Sequence, residues 1–370
     1  MSLDATPQIS NSPVDEARRQ IEICNACRYC EGFCSVFPAM MRDRAFADGD
    51  ITHLANLCHN CRGCYYSCQY TEPHEFALNL PAALAEVRQN SWEEHVPPRA
   101  VARMFHQSGG KIALALVLGI AALFWAIAAL RPASGEGFYA VLAHNAMVAI
   151  FTPAFLLPLV SVAVGLRSYW RKTGGGRVNL AAIAGAVRQV ANMRNLDGGQ
   201  GQGCNFEQAD RYSDRRRQFH QAVMYGFLLC FASTSVATLM HYLLGMAAPY
   251  GFFSLPKLFG VSGGVLLVVG TAGLGVLKTR ADRKLGVARV WGGEMAFIVL
   301  LGFIGLTGLV LYAATGTILV APLLAIHLGA VLALFLLLPF TKMVHGFFRF
   351  AALVAEENKR SDAIRLKSKT

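Results

Sequence analysis

The chain has 370 residues, a formal net charge of +11 and 54% hydrophobic residues, a length that allows two or three domains. Residues 1–110 are polar and cysteine-rich, whereas from Lys111 onward apolar runs of 20 or more residues dominate; a soluble core does not need such runs, but a helix crossing about 30 Å of hydrocarbon does. The basic residues stand beside these runs, as at Arg215, Arg216 and Arg217 or Lys278, Arg280, Arg283 and Lys284, and are not interleaved with aromatics on a soluble surface, which argues against nucleic acid and for membrane lipid as the partner.

In chain order, residues 1–14 (Ser, Asn, Pro, Gln) read as a disordered N-terminus. A short helix over 15–23 leads into a first cysteine motif, and 35–57 links it to a second, with weak helical character over 45–57. A helix is expected over 82–89 after Pro81, then a hinge at Pro97 and Pro98. Residues 99–107 form a basic amphipathic lead-in to the membrane. Six spans follow, at about 111–130, 141–166, 219–244, 258–277, 295–314 and 318–344, each nearly free of charge. Pro153, Pro158, Pro322 and Pro339 lie in or near them, where packed neighbours tolerate kinks.

The segment 167–217 carries Arg167, Arg171, Lys172, Arg177, Arg188, Arg194, Arg211 and the triple arginine; 278–293 carries five more basic residues, whereas the opposite loops hold only Arg131 and Lys257. The positive-inside rule therefore puts both termini and the cysteine segment in the cytoplasm of a bacterial inner membrane, as a multi-pass protein. Within the long inner loop, Leu180, Ile183, Ala184, Val187, Val190 and Ala191 recur at helical spacing. That pattern suits a helix lying in the interface plane or one packed on the soluble domain. The glycine-rich stretch 198–203 follows no strand, so it is a flexible segment and not a dinucleotide fingerprint. The resulting division is 1–14, a soluble unit over 15–108, a membrane unit over 109–349 containing the loop 167–217, and a basic tail over 350–370.

Eight of the ten cysteines form two runs with C-x2-C-x2-C-x3-C spacing: Cys24, Cys27, Cys30, Cys34 and Cys58, Cys61, Cys64, Cys68. No apolar leader segment precedes them, so a reducing compartment is expected, in which metal ligation is a better reading than disulfides. Structural zinc usually takes two C-x2-C pairs. The matched runs instead suit two [4Fe–4S] clusters, in which the fourth cysteine of each run ligates the other cluster. This assigns Cys24, Cys27, Cys30 and Cys68 to one and Cys58, Cys61, Cys64 and Cys34 to the other. The proline that usually follows the fourth cysteine is replaced by Ser35 and Gln69.

Ligand-capable residues inside a membrane are functional candidates, and five histidines qualify: His144, His220, His241, His327 and His345. On unbroken helices, His327 and His345 are roughly 27 Å apart on one face and His220 and His241 roughly 31 Å apart. Topology pairs His220 with His345 at the cytoplasmic side and His241 with His327 toward the outer side. Two bis-histidine b haems would use all four; one haem or none are the alternatives. His144 could replace His241 as a ligand or line a quinone pocket. Tyr225, Trp125 and Cys230 read as packing residues. No Ser/His/Asp arrangement or paired-carboxylate site stands out, so the chemistry expected is the placing of redox centres.

The cysteine runs, RRRQFHQAVMYGF at 215–227, APYGFFSLP at 248–256 and PFTKMVHGFFR at 339–349 together resemble the tricarballylate (citrate) utilisation protein B family over nearly the whole chain beyond residue 15. In that family a second histidine often follows the position of His220, where this chain has Gln221. The resemblance implies that a partner FAD-dependent dehydrogenase oxidises tricarballylate or a related polycarboxylate, and that this protein reoxidises its flavin and passes electrons to membrane quinone. The membrane half is also similar, at fold level, to the gamma subunit of respiratory nitrate reductase, whose paired histidines carry two b haems. The fold expected is therefore mainly α: a ferredoxin-like helical iron–sulfur segment, then a six-helix transmembrane bundle of dihaem cytochrome b type. Alternatives are a membrane subunit of another redox complex, such as a heterodisulfide-reductase-like module, and a transporter or anchor, which the near absence of acidic residues in the spans disfavours.

Overall fold

The computed structural model describes residues 12–130, 142–198, 201–207, 211–246, 248 and 250–367. Of the disordered segment read for 1–14, residues 1–11 lie outside the described residues, as do the loop around Arg131 and residues 199–200 of the glycine-rich stretch, but Pro13 and Val14 are already helical. Among these, the chain is helical, with one isolated bridge between Cys204 and Ser213 and no named strand.

The soluble unit is built from α1 (Pro13–Cys27), α2 (Val36–Met40), α3 (Asp48–Leu57), α4 (Gly63–Tyr66) and α5 (Leu80–His95). Pro13 opens α1, where a missing N–H costs nothing, and Asp15 and Glu16 sit at its positive end. The helix runs past the expected residue 23 to Cys27 and stops at Arg28, which adopts the left-handed conformation (φ 58°). Helix α5 packs on α1 and α3. Their core includes Ile21, Ile51, Leu54, Leu84, Val87 and Trp92. Trp92 donates its indole N–H to Asn56 Oδ1 at 2.9 Å, which satisfies a polar atom in that core.

Six helices are long and apolar enough to cross a membrane. They contain α6 (Arg99–Leu130), α7 (His144–Lys172), α9 (Arg215–Leu244), α10 (Leu255–Arg280), α11 (Trp291–Ala313) and α12 (Val320–Leu337), with α8 (Leu180–Asn192) in the long loop. The amphipathic lead-in and the first span form one helix, α6, with a break in helical backbone at Ser108. Helix α10 packs on α9 and α11; α11 packs on α6 and α12, and α12 on α6 and α7. At the α9–α10 contact, a methyl group added at Gly226 would lie 2.7 Å from Leu267 N, and one at Gly263 would lie 2.9 Å from Cys230 N. Such close backbones suit lipid, where packing replaces the hydrophobic drive. Outward faces expose Leu118, Trp125, Leu157 and Val299.

Two features differ from expectation. Helix α12 ends at Leu337, and a 3-10 turn holding Pro339 follows before α13 (Val344–Lys367) begins. His327 and His345 therefore sit on different helices, and the single-helix spacing does not apply to them. The chain beyond residue 350 is also no separate tail. Helix α13 packs on α3, α7 and α8, burying Phe348, Ala352, Leu353 and Ala355. Arg42 grips Glu356 through two hydrogen bonds of 2.6 and 2.5 Å. Helix α8 packs on α13, burying Ala182 and Ala186 while Leu180 and Val187 remain exposed.

Candidate metal centres

Helix α1 presents Cys24 and Cys27 from its last turns, Cys58 caps α3, and α4 carries Cys64. Left-handed residues at Arg28, Asn60 and Arg62 turn the chain around the remaining thiols. All eight are free. Cys24, Cys27, Cys30 and Cys68 line one cavity of about 230 Å³, with Cys64 at its edge. Cys34, Cys58, Cys61 and Cys64 line a second, tighter one of about 20 Å³. Cys68 thus lies with the first motif and Cys34 with the second. The cavities share Phe37, Cys64 and Leu80 as walls.

Among the described residues, no three His, Cys, Asp or Glu side chains converge closely enough to hold a metal ion. The thiols ring spaces instead of meeting at a point. Burial, then the neighbouring Cys68 and Cys30, push Cys24 up to about 12. Burial and Cys68 do the same to Cys30, and burial raises Cys34 and Cys64 well above the ordinary thiol range. Such a set becomes thiolate only against concentrated positive charge, and soft sulfur donors grouped by fours around a space are the donor set of an iron–sulfur cluster. Backbone N–H groups of Asn60 and Tyr70 reach the sulfurs of Cys58 and Cys68, each at 3.4 Å.

Arginines from three helices meet at the second motif. Arg88 on α5 donates to the carbonyls of Ala55 (3.2 Å) and Cys58 (2.9 Å). Arg216 on α9 donates to those of Asn60 (2.6 Å) and His59 (3.0 Å), and Arg349 on α13 to that of Cys58 (2.7 Å). Phe206 lies under two guanidiniums, those of Arg62 and Arg216, at 4.7 and 4.1 Å. His59 donates through Nδ1 to Leu57 O at 2.7 Å. Burial, then Arg349, hold it well below the usual imidazole range. None of these arginines was singled out as a site residue from sequence. A signal was present, because Arg216 precedes His220 by four residues and Arg349 follows His345 by four, one helical turn in each case.

The structure brings His220 and His345 together: their ring centroids are 5.8 Å apart and the planes cross at 80°. Two imidazoles on one iron, with bonds of about 2 Å, stand about 6 Å apart between centroids, close to the separation of this pair. His220 Nδ1 is buried with no hydrogen-bond partner among the described residues. Burial and Arg349 hold His345 well below the usual range, in the neutral form that ligates metals. The outer pairing differs from expectation. His241 meets His144 at 4.3 Å, with a tilt of 31°, too close for an iron between the rings. His144 Nε2 is hydrogen-bonded to the Tyr242 hydroxyl at 2.9 Å. His327 instead hydrogen-bonds through Nδ1 to the Thr307 hydroxyl of α11 at 3.0 Å. Tyr225, read as packing, donates to the Ala191 carbonyl at 3.0 Å.

Known proteins resemble this chain along its length. Residues 17–94 match the family model described as the citrate utilization protein B Fer4-like domain, a ferredoxin-type description that suggests an iron–sulfur cluster, and residues 96–364 match that described as citrate utilization protein B. No solved structure matches. The chain is 43% identical over 353 residues to the citrate utilization protein B of Escherichia coli, an alignment covering 94% of this chain and 93% of that relative. On both the soluble and the membrane unit, therefore, the chain belongs to the citrate utilization protein B family.

Proposed function

We propose that the protein is a membrane electron relay that reoxidises the reduced flavin of a partner tricarballylate or polycarboxylate dehydrogenase and delivers electrons to quinone. Two [4Fe–4S] clusters, on Cys24, Cys27, Cys30, Cys68 and on Cys34, Cys58, Cys61, Cys64, and a b haem on His220 and His345, supply one-electron carriers when bound. The observation that carries this reading is the join between the cysteine unit and the histidine pair. Arg216 and Arg349 hold the carbonyls of Cys58, His59 and Asn60. Each stands one turn from the histidine on its own helix. The thiol loop and the paired imidazoles are thereby fixed to each other through α9 and α13.

The first cavity is bordered by the exposed residues Cys27 and Tyr29, a surface at which a flavoprotein can approach, while the loop beside the second is bonded by Arg216 and Arg349. The basic loops favour the cytoplasm of a bacterial inner membrane for the cysteine unit. His241 and His144, too close to flank an iron, are left as polar groups at the outer end, where His144 and Tyr242 would meet a quinone carbonyl. A second haem between His241 and His327 has no support from their placement.

The test is made on the full-length protein in detergent. About eight irons per chain, a broad absorbance near 400 nm and b-type bands in reduced-minus-oxidised spectra are expected. His220→Ala and His345→Ala should each abolish the b bands while leaving the iron–sulfur absorbance. Less than about one iron per chain, or haem retained in both variants, would overturn the assignment.

A further inference from the structure

We propose that Arg88, Arg216 and Arg349 hold the second thiol set at a more positive reduction potential than the first, so that the set nearest the membrane is the electron sink of the soluble unit. The inference rests on the iron–sulfur reading above and adds a direction to it. The three guanidiniums donate to the peptide carbonyls of Ala55, Cys58, His59 and Asn60, all at Cys58 or within three residues of it. Among the described residues, none of the three lies within ion-pair distance of a carboxylate. Arg349 Nε is buried with no hydrogen-bond partner there. Arg62, itself buried, adds a fourth charge at the wall of the same cavity.

Buried cations need a compensating anion. A cluster held by four thiolates is net negative and becomes more so on reduction, so nearby fixed positive charge favours its reduced form. The wall of the first cavity contains no arginine or lysine, whereas Arg62 lines the second, and no guanidinium is hydrogen-bonded to the carbonyls of Cys27, Cys30 or Cys68 among the described residues. Solvent at the exposed Cys27 raises the first set's potential somewhat, but water replaces neither three fixed charges nor the carbonyl dipoles they hold in place. Transfer from the first set to the second moves one electron and no proton, with no bond made or broken. The shared wall of Phe37, Cys64 and Leu80 keeps the two sets adjacent for it.

The experiment is a redox titration of the full-length protein in lipid nanodiscs, followed by low-temperature electron paramagnetic resonance. Cys27→Ser alters the spectrum of the first set and so labels it. Two midpoints are expected, with the unlabelled set higher. Arg349→Gln should lower that midpoint alone, by at least tenfold in the reduction equilibrium, which is about 59 mV for one electron. Arg349→Lys, which keeps the charge, should restore most of it. Arg28→Gln, beside the exposed Cys27, should leave the second set unmoved. If Arg349→Gln fails to load iron, Arg88→Gln is read in the same way. Coincident midpoints in the wild type, a higher midpoint for the labelled set, or a shift confined to the first set would each overturn the inference. Loss of all cluster signals from the wild type would instead sink the iron–sulfur reading, and this inference with it.

Discussion

Phe348 is fully buried on α13, its ring 5.2 Å from that of Tyr169 on α7 and 6.4 Å from that of His95 at the end of α5. It therefore ties three elements together just before Arg349. Phe348→Ala removes the ring from a site walled by helices that cannot easily collapse into it, a loss of about 3–5 kcal/mol. At about 2–4 °C per kcal/mol for a folded unit of this size, thermal unfolding in detergent, followed by tryptophan fluorescence, should fall by about 6–20 °C. Leu180→Ala on α8 is the comparison. Leu180 is 83% exposed, so its truncation should change stability by no more than about 0.5 kcal/mol. A melting temperature for Phe348→Ala within about 2 °C of wild type, or equal losses in the two variants, would refute the docking of α13 onto the soluble unit.

Glu93 gives a pH signature. Burial opposes its ionisation, but hydrogen bonds from His106, Gln89 and Arg289 overcome this and hold it at about 2, below its ordinary 4.5. Its folded-state pKa is depressed, so its contribution is fully present above about pH 4.5 and is lost as pH falls toward 2. The difference in melting temperature between wild type and Glu93→Gln should be constant from pH 7 to 5 and narrow below that; a difference that stays level down to pH 3 contradicts it. Gly263→Val places bulk against Cys230 N and should separate α9 from α10, lowering the melting temperature and broadening the b-type bands, whereas Gly292→Ala, with nothing within 4 Å of the added carbon, should be silent. His327→Ala should keep the full b-haem content, because His327 bonds to Thr307 while His220 pairs with His345; loss of haem in that variant would show that the pairing was misread.

The six spans were legible because a bilayer imposes length and apolarity on each helix separately, and the lead-in to the first span was legible down to the break at Ser108. The grouping of the cysteines follows from spacing, since three ligands at intervals of three leave the fourth pointing elsewhere. Histidine pairing was legible only in part. His220 and His345 could be matched because both lie at helix ends next to the basic segments. His241 and His327 could not, because the choice between His144 and His327 depends on which helices pack, and hydropathy carries no such information. Pro339 ends α12 early, which removed the helical ruler used for His327 and His345. The arginines around Cys58 come from α5, α9 and α13, far apart in sequence, and a motif search restricted to cysteines and histidines passes over them. Residues 350–370 read as a tail because of their charge, yet Ala352 and Ala355 stand four and seven residues after Phe348, a helical spacing that marks a buried face.

The docking of α13 against α3 and α8 also sets an order of assembly. The soluble unit opens the chain, but the helix that covers it closes the chain, with six membrane helices synthesised in between. While the ribosome is still at work, Arg42 has no Glu356 to bind and the Cys58 loop has no Arg349. The carbonyl of Cys58 therefore gains its Arg349 contact, and the soluble unit its Glu356 pair, only after the last membrane helix has been made.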